Sequence, residues 1–304
     1  MTRRYLTLLL LVAAIWGASF MFIKVAVAEM DPVPVMALRL ALAALFLVPF
    51  LLLQHGFGGT TDRLRAVSGG GAVLGLANAA VPFTLIAWGE QHVDSGIAAI
   101  ANAPVPIFVA LLAVRFRPTE RARGLRLAGI LLGFAGVGVL AGFEPEGGWW
   151  AVAGTLAVTG ASLCYAASNL YVQSRFEQTQ PLVLVTASSI AGALVLAPLA
   201  LVQLPDATPS LGALASVAAL GIAGTAIATI LYFRLLASHG ASRASLVTYL
   251  VPPVALVYGV LVLDERIAAN AVAGLALILG GVALGSGAIR LRRRGEAVPV
   301  APHA

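Results

Sequence analysis

Apolar residues dominate this chain in ten windows, each bounded by charged residues, proline or glycine. About 20 consecutive apolar residues suffice to cross the hydrocarbon core of a bilayer as an α-helix. The pattern therefore predicts an all-α integral membrane protein with ten transmembrane helices joined by short loops. The predicted segments are 5–28, 33–54, 68–90, 94–115, 124–143, 150–174, 181–203, 211–236, 242–263 and 269–289.

One sequence motif occurs twice, as RPTERARGLRLAGILLGFAGVGVLAG at 117–142 and as VLDERIAANAVAGLALILGGVALGSG at 262–287. Aligned without a gap, the two copies share a Glu-Arg pair and three glycines. Residues 16–19 align with residues 165–168 in the same way, and Pro49 aligns with Pro198. The copies lie five predicted helices apart, an odd number, so they cross the bilayer in opposite directions.

This duplication predicts two inverted five-helix repeats, residues 1–148 and residues 149–290, followed by a basic cytoplasmic tail at 291–304. Inverted repeats are typical of transporters that work by alternating access, with a binding site near the midplane between the halves. The alternative is an old duplication without a functional consequence. We expect segments one, three, four, six, eight and nine to line the site, and segments five and ten to brace it.

Composition agrees with a membrane protein, because 60% of the residues are hydrophobic and only 11% are charged. The net charge of +6 reflects topology rather than nucleic-acid binding. If the N-terminus is cytoplasmic, every Lys and Arg except Lys24, Arg39 and Arg266 lies at the inner side, as the positive-inside rule requires. We therefore predict that both termini lie in the cytoplasm. The first apolar run is too long for a cleaved leader, whose apolar core has roughly 7–15 residues.

The chain offers little for redox or metal chemistry. Its one cysteine, Cys164, lies in an apolar segment, and its four histidines follow no ligand spacing. We therefore predict no disulfide, no metal and no cofactor.

Three groups of residues carry a resemblance to a known family. They are AAIWGASFMFIKVA at 13–26, ALRLALAALFLVP at 37–49, and the two Pro…Glu-Arg…Gly…Gly-Val units at 106–137 and 252–282. This ordered set resembles the drug/metabolite transporter superfamily, and within it the ten-helix EamA-type exporters. The resemblance implies export of small metabolites, often amino acids, from the bacterial cytoplasm, with YddG-like exporters of neutral and aromatic amino acids as the nearest group.

Polar side chains near the middle of the segments are candidate substrate contacts, because polar groups are costly in lipid. Asn102 and Thr248 correspond in the two repeats, and each precedes a proline whose missing N–H can leave carbonyls free. For hydroxyl groups, including Thr225, hydrogen bonding within or between helices is the favoured alternative. The predicted substrate-binding residues are Trp16, Ser19, Asn78, Asn102, Tyr165, Asn169, Tyr232, Thr248 and Tyr249.

Charged residues are scarce inside the segments. Lys24, the only lysine, and Glu90 are predicted as charged or gating residues at the outer side, where Lys24 attracts a carboxylate, pairs with Glu90 or anchors the helix end. Arg39 is interpreted as structural. Since no acid lies in mid-segment, we expect no buried proton carrier and a site for neutral or zwitterionic solutes. Glu120 and Glu265 each start a helix, where a carboxylate stabilises free amides.

The sequence thus predicts a secondary exporter of small neutral or zwitterionic metabolites, with amino acids first, and other metabolites or drugs as the alternative. A membrane-embedded enzyme is disfavoured because no nucleophile, base and acid set falls at one depth. A passive scaffold is disfavoured by the mid-membrane Asn, Tyr and Trp side chains. The predicted partners are a small-molecule substrate and the lipid bilayer, without nucleic acid; the oligomeric state stays open, with a monomer slightly favoured.

Overall fold

A computed structural model describes residues 3–116, 125–141, 148–239, 244 and 246–285. Within these residues all regular secondary structure is helical. We number the segments α1 to α10 in chain order, with α3, α4 and α8 each built from more than one helical stretch. The bounds are α1 Arg3–Val27, α2 Pro32–Ala66, α3 Ser68–Glu90, α4 Ser95–Ala101 plus Val105–Phe116, α5 Leu125–Ala141, α6 Gly148–Arg175, α7 Pro181–Val202, α8 Leu211–Ala219 plus Leu220–Ile227 plus Ala228–His239, α9 Val247–Leu263 and α10 Ala269–Gly285.

Seven of these segments contain a helix long and apolar enough to cross a membrane, namely α1 to α4 and α6 to α8. The other three, α5, α9 and α10, are shorter apolar helices. The prediction of an all-α integral membrane protein is confirmed. One predicted loop is wrong, because α2 continues past residue 54 to Ala66 after a change of direction at Gly56. Gly56 has φ of 66°, a left-handed conformation that glycine adopts without a steric penalty.

The packing of the helices follows the same plan in both halves of the chain. Helix α1 packs on α8 and α9, and its counterpart α6 packs on α3 and α4. Helix α2 packs on α7 and α8, while α7 packs on α2 and α3. Helices α5 and α10 pack extensively on each other. Every helix of one half therefore contacts the other half. Each of these contacts between two helices has a counterpart between the corresponding helices of the opposite halves.

The contact between α5 and α10 depends on glycines. A Cβ atom at Gly281 would lie 2.6 Å from the Gly129 carbonyl oxygen and from the Gly133 backbone nitrogen, closer than real side chains approach. Such small residues let two helices approach closely in lipid. Gly129, Gly133 and Gly281 therefore allow the close approach of α5 and α10. Gly138, by contrast, faces open space.

Two segments contain a stretch of π-helix, in which the backbone carries an extra residue per turn. These stretches are Gly75–Ala80 in α3 and Leu220–Ile227 in α8, at corresponding places in the two halves. Segment α4 is interrupted between its two helical parts at residues 102–104, where Pro104 and Pro106 follow Asn102. Since such irregular stretches leave backbone groups without their regular partners, they are the places where side chains or ligands can bind.

Candidate functional site

The π stretch of α8 lies against the middle of α1. The indole Nε1 of Trp16 donates a hydrogen bond of 3.2 Å to the carbonyl oxygen of Gly224. Ser19, one turn further along α1, is buried beside Gly224. A Cβ atom added at Gly224 would lie 2.8 Å from the Ser19 Oγ. The Ser19 hydroxyl donates to the carbonyl of Ile15 in its own helix, at 3.0 Å. Trp16 therefore joins the first half to an irregular carbonyl of the second half.

Aromatic rings extend this contact in the same region. The rings of Trp16 and Tyr232 lie 5.2 Å apart with an angle of 41° between their planes. Both side chains are half-buried and pack on a core cluster formed by α1, α8 and α9. The two predicted residues thus lie together, on facing helices of different halves.

A buried arginine lies on the other side of the same π stretch. Arg39 Nε donates a 3.0 Å hydrogen bond to Thr225 Oγ1, and the Thr225 hydroxyl donates in turn to the Leu220 carbonyl at 3.0 Å. The guanidinium lies over the ring of Phe83, 3.9 Å from its centroid. Phe83 meets Tyr165 edge-on at 6.4 Å. Tyr165 therefore joins this cluster, which links α2, α3, α6 and α8.

Asn78 lies in the π stretch of α3, four residues before Pro82. Proline has no N–H, so the carbonyl of Asn78 loses its regular helical donor. The Asn78 side chain is half-buried, and it makes no hydrogen bond within the part of the chain that the structure describes. Its amide is therefore available to a ligand.

Asn102 lies at the break of α4, where its polar atoms meet a serine of α6. Ser162 Oγ lies 3.0 Å from the Asn102 carbonyl oxygen and 3.1 Å from Asn102 Oδ1. The carbonyl that the sequence expects to be free for ligand thus has a protein donor in this structure. The contact holds α4 to α6 within the bundle.

The remaining predicted residues are more scattered. Tyr249 is half-buried and packs on the main hydrophobic core, whereas Asn169 and Thr248 are exposed. The structure therefore brings Trp16, Ser19 and Tyr232 together and places Tyr165 with Arg39.

Lys24 and Glu90 meet through the main chain. Lys24 Nζ donates to the carbonyl oxygens of Glu90 and Val93, both at 2.7 Å. The Glu90 side chain is completely buried at 0% exposure, and neither carboxyl oxygen has a hydrogen-bond donor among the described residues. The sequence predicts Glu90 as a charged residue at the outer side, and the structure places its carboxyl group inside the bundle. Glu90 is the last residue of α3, and this end of α3 packs chiefly on α6, with α1, α2 and α4 beside it.

Two other acids join the halves at the same end of the bundle, which we call the acidic end and define by residues 28–31, 91–94, 203–210 and 264–268. Glu29 accepts hydrogen bonds from the Ser210 hydroxyl and backbone N–H, both at 2.6 Å. These hydrogen bonds, the hydroxyl first, lower the pKa of Glu29 below its ordinary value. Ser210 begins α8, so an acid of the first half binds the start of a helix of the second.

Glu265 makes the reciprocal contact. It accepts hydrogen bonds from the Ser95 backbone N–H at 2.7 Å, the Ser95 hydroxyl at 2.9 Å and the Gly96 N–H at 3.2 Å. Asp264, with φ of 55°, makes the left-handed turn after α9 that directs Glu265 there. The sequence predicts that Glu265 caps a helix start, and it does so, but the helix is α4 of the other half. Glu120 lies outside the described residues.

The sequence interpretation missed the cluster around Arg39. Arg39 was assigned a structural role, and Phe83 was given none. The π stretch of α3 had a signal in Pro82, since a proline inside a membrane segment disturbs the ladder four residues earlier. The π stretch of α8 contains no proline, and its hydrogen bond from Thr225 to Leu220 follows a five-residue spacing that α-helical periodicity does not predict.

Comparison with known proteins shows which family the chain belongs to. The sequence model of the EamA-like transporter family matches residues 3–142 and again residues 152–287. An uncharacterized transporter of Archaeoglobus fulgidus is 29% identical over 279 residues, which cover 90% of this chain and 95% of that protein. A probable amino-acid metabolite efflux pump of Escherichia coli is 26% identical, covering 96% and 98% of the two chains. The inner membrane transporter YedA of Escherichia coli, also uncharacterized, is 28% identical over 81% and 78%.

One solved crystal structure superimposes with a TM-score of 0.64 at 20% sequence identity, covering 95% of this chain and 98% of that one. At this identity the likeness concerns the fold alone.

Proposed function

Since this chain belongs to the EamA-like transporter family, a family of multi-pass membrane transporters with two repeats, we propose that it exports small neutral or zwitterionic metabolites, with neutral and aromatic amino acids first. The observation that carries the proposal is a pair of aromatic contacts at the π stretch of α8. Trp16 and Tyr232 meet beside Gly224, and Phe83 and Tyr165 meet beside Arg39, which bonds to Thr225. Aromatic walls with a few polar groups are typical of sites for small apolar or amphipathic ligands.

Alternating access accounts for the way in which the halves contact each other. At the acidic end, Glu29 and Glu265 each bind a helix start of the opposite half. Breaking such contacts would let the two halves rock around the central aromatic residues and expose them to that side. We assign substrate contact to Trp16, Ser19 and Asn78 together with the tyrosines, and an accessory role to Asn102.

The name of one relative supports the substrate class, since the Escherichia coli protein at 26% identity is a probable amino-acid metabolite efflux pump. The alternative is export of other small metabolites or of drugs. The buried carboxyl group of Glu90 favours a cationic drug in that case, because an acid with no hydrogen-bond donor among the described residues can bind an organic cation.

We further propose that the protein lies in the bacterial inner membrane with both termini in the cytoplasm and the acidic end facing outward. Residues 1–148 and 149–290 then form the two inverted halves. Basic residues concentrated at the opposite end support this orientation. Fusion of a phosphatase that is active only outside the cytoplasm should give activity at the loop 203–210 and none at residue 304. The reverse pattern would overturn the orientation.

Substrate counterflow in proteoliposomes tests the function. Purified protein is reconstituted, and exchange of labelled amino acids is measured with and without an imposed proton gradient. We expect exchange of neutral or aromatic amino acids without a gradient. Asn78→Leu should abolish exchange, because it removes an amide that has no partner among the described residues and that we assign to the substrate. Asn270→Leu is the matched control, since the Asn270 amide contacts the Leu140 carbonyl between α5 and α10, away from the site. Silence across the panel would refute the amino-acid proposal.

A further inference from the structure

The guanidinium of Arg39 is a buried positive charge that lacks an acidic partner among the described residues. Only 6% of the side chain is exposed, and Arg39 lies about 10 Å along α2 from Pro32, within the membrane segment. Its hydrogen bonds go to Thr225 Oγ1 and, at 4.0 Å, to the sulfur of Met36. Charged residues in this position are costly and mark substrate pathways in membrane proteins. The charge therefore needs an anion that the described part of the chain does not supply.

The geometry leaves one edge of this guanidinium available. Thr225 holds Nε, and the ring of Phe83 supports one flat face of the group at 3.9 Å. Within the described residues Nη2 has no acceptor. It is also not one of the fully buried side-chain atoms that lack a hydrogen-bond partner, so a ligand can reach it. The two Nη atoms of an arginine form a fork that matches a carboxylate in a bidentate pair. The guanidinium is thus held at Nε and on one flat face, Nη1 contacts only the Met36 sulfur at 4.0 Å, and Nη2 has no acceptor among the described residues.

The acids near Arg39 do not neutralise it. Glu265 uses its carboxylate on Ser95 and Gly96. Glu90 is close enough to act on Arg39 electrostatically, but its buried carboxyl group makes no hydrogen bond to the guanidinium. Lys24, the remaining cation of this region, is occupied by two backbone carbonyls. Arg39 is therefore the cation that remains available to an external ligand.

We propose that Arg39 binds the carboxylate of the transported solute, with the rings of Phe83 and Tyr165 contacting the rest of the molecule. The proposal rests on the proposed export of zwitterionic metabolites and adds the residue that selects them. Thr225 is a positioning residue, because it fixes Nε without reaching the ligand. The substrate class is then solutes with a free carboxylate, and amides or amines of the same skeleton are excluded.

Competition in the counterflow assay tests this selection. Exchange of a labelled amino acid that the wild type carries is inhibited by the unlabelled acid, by its carboxamide, and by the amine that lacks the carboxyl group. A charge-assisted pair of hydrogen bonds corresponds to about tenfold or more in affinity. We therefore expect the acid to inhibit at a concentration at least about tenfold lower than either analogue. In Arg39→Gln this preference should fall to within about twofold.

Three variants keep the test decisive. Arg39→Lys retains the charge but not the fork, and should keep only part of the preference. Thr225→Val leaves the guanidinium unanchored, and should raise KM for the acid more than it lowers kcat. Arg175→Gln, at an exposed arginine at the end of α6, removes one charge elsewhere and should keep the full preference. If Arg39→Gln fails to fold, the Thr225→Val result decides.

The outcomes separate the two proposals. If the wild type exchanges amino acids but does not distinguish the acid from its carboxamide, the role of Arg39 is refuted and the exporter stands. Retention of the full preference by Arg39→Gln would refute it equally. If the wild type exchanges no amino acid at all, the proposed function fails, and the assignment of Arg39 to a solute carboxylate fails with it.

Discussion

The contact of Glu265 with the start of α4 predicts a measurable local effect. Its carboxylate accepts three hydrogen bonds, from the Ser95 N–H and hydroxyl and from the Gly96 N–H. These N–H groups belong to the first turn of a helix, where they have no partner within the helix. Glu265→Ala removes both carboxylate oxygens and with them all three hydrogen bonds. The start of α4 should then open far more often, while the rest of the bundle keeps its packing.

The magnitude follows from the number and kind of hydrogen bonds. Loss of a side-chain cap costs about 0.5–2 kcal/mol, and a hydrogen bond to a charged group contributes about 1.5–3 kcal/mol. Because solvent replaces part of the loss at this half-buried residue, we expect about 2–3 kcal/mol for Glu265→Ala. A factor of ten corresponds to about 1.4 kcal/mol. Local opening at Ser95 and Gly96 should therefore become roughly 30- to 150-fold more frequent.

Hydrogen exchange followed by mass spectrometry measures this opening in peptides that cover residues 95–101. Glu265→Gln keeps one acceptor oxygen, and should accelerate exchange by only about fivefold, or about 1 kcal/mol. Gly259→Ala should resemble Glu265→Ala, because the new methyl group would occupy the place of the Glu265 carboxylate. Asp206→Asn, an exposed acid at the same end, is the control and should change nothing. Unchanged exchange in Glu265→Ala would show that the contact does not stabilise α4.

Three further predictions concern packing, pH and the central contact. Gly281→Ala should destabilise the protein by about 1–3 kcal/mol through overpacking and lower its melting temperature, whereas Gly138→Ala, which faces open space, should stabilise it by up to about 1 kcal/mol. The Glu29 contact should be complete at neutral pH and lost on acidification through the lowered pKa of Glu29, so exchange at Ser210 should accelerate only at acidic pH, and Glu29→Gln should abolish this dependence. Trp16→Phe should retain the ring contact but lose the bond to the second half, costing about 0.5–1.5 kcal/mol in chemical unfolding; an unchanged stability would contradict that bond.

Apolar patterning predicted the helices of this protein well, because a bilayer imposes length and composition on every spanning segment. The glycine contact between α5 and α10 was also readable, since small residues at a spacing of four mark close approach. The partner of Glu265 could not be predicted from the sequence. Spacing along the chain shows that an acid follows a helix, but only the packing of the two halves shows that the free N–H groups of Ser95 are within its reach.

The site was less predictable for a related reason. Trp16 and Tyr232 were identifiable because large polar aromatics in mid-segment are uncommon. The surroundings of Arg39 were not predictable because they depend on packing: it bonds to Thr225, a residue 186 positions away in the sequence, on an irregular helix. The burial of Glu90 was missed for the same reason, since a residue at a helix end is exposed or buried according to what packs above it.

The Glu265 contact also has a consequence for the order in which this protein is made. Ser95 and Glu265 are 170 residues apart in the chain. At a synthesis rate of about 5–20 residues per second, roughly 10–30 s pass between the two residues leaving the ribosome. During this interval the start of α4 has no carboxylate to bind, although most of the first half has already been made. Completion of the first half therefore depends on a loop near the end of the chain, and a nascent chain that stops before residue 265 leaves its fourth helix uncapped.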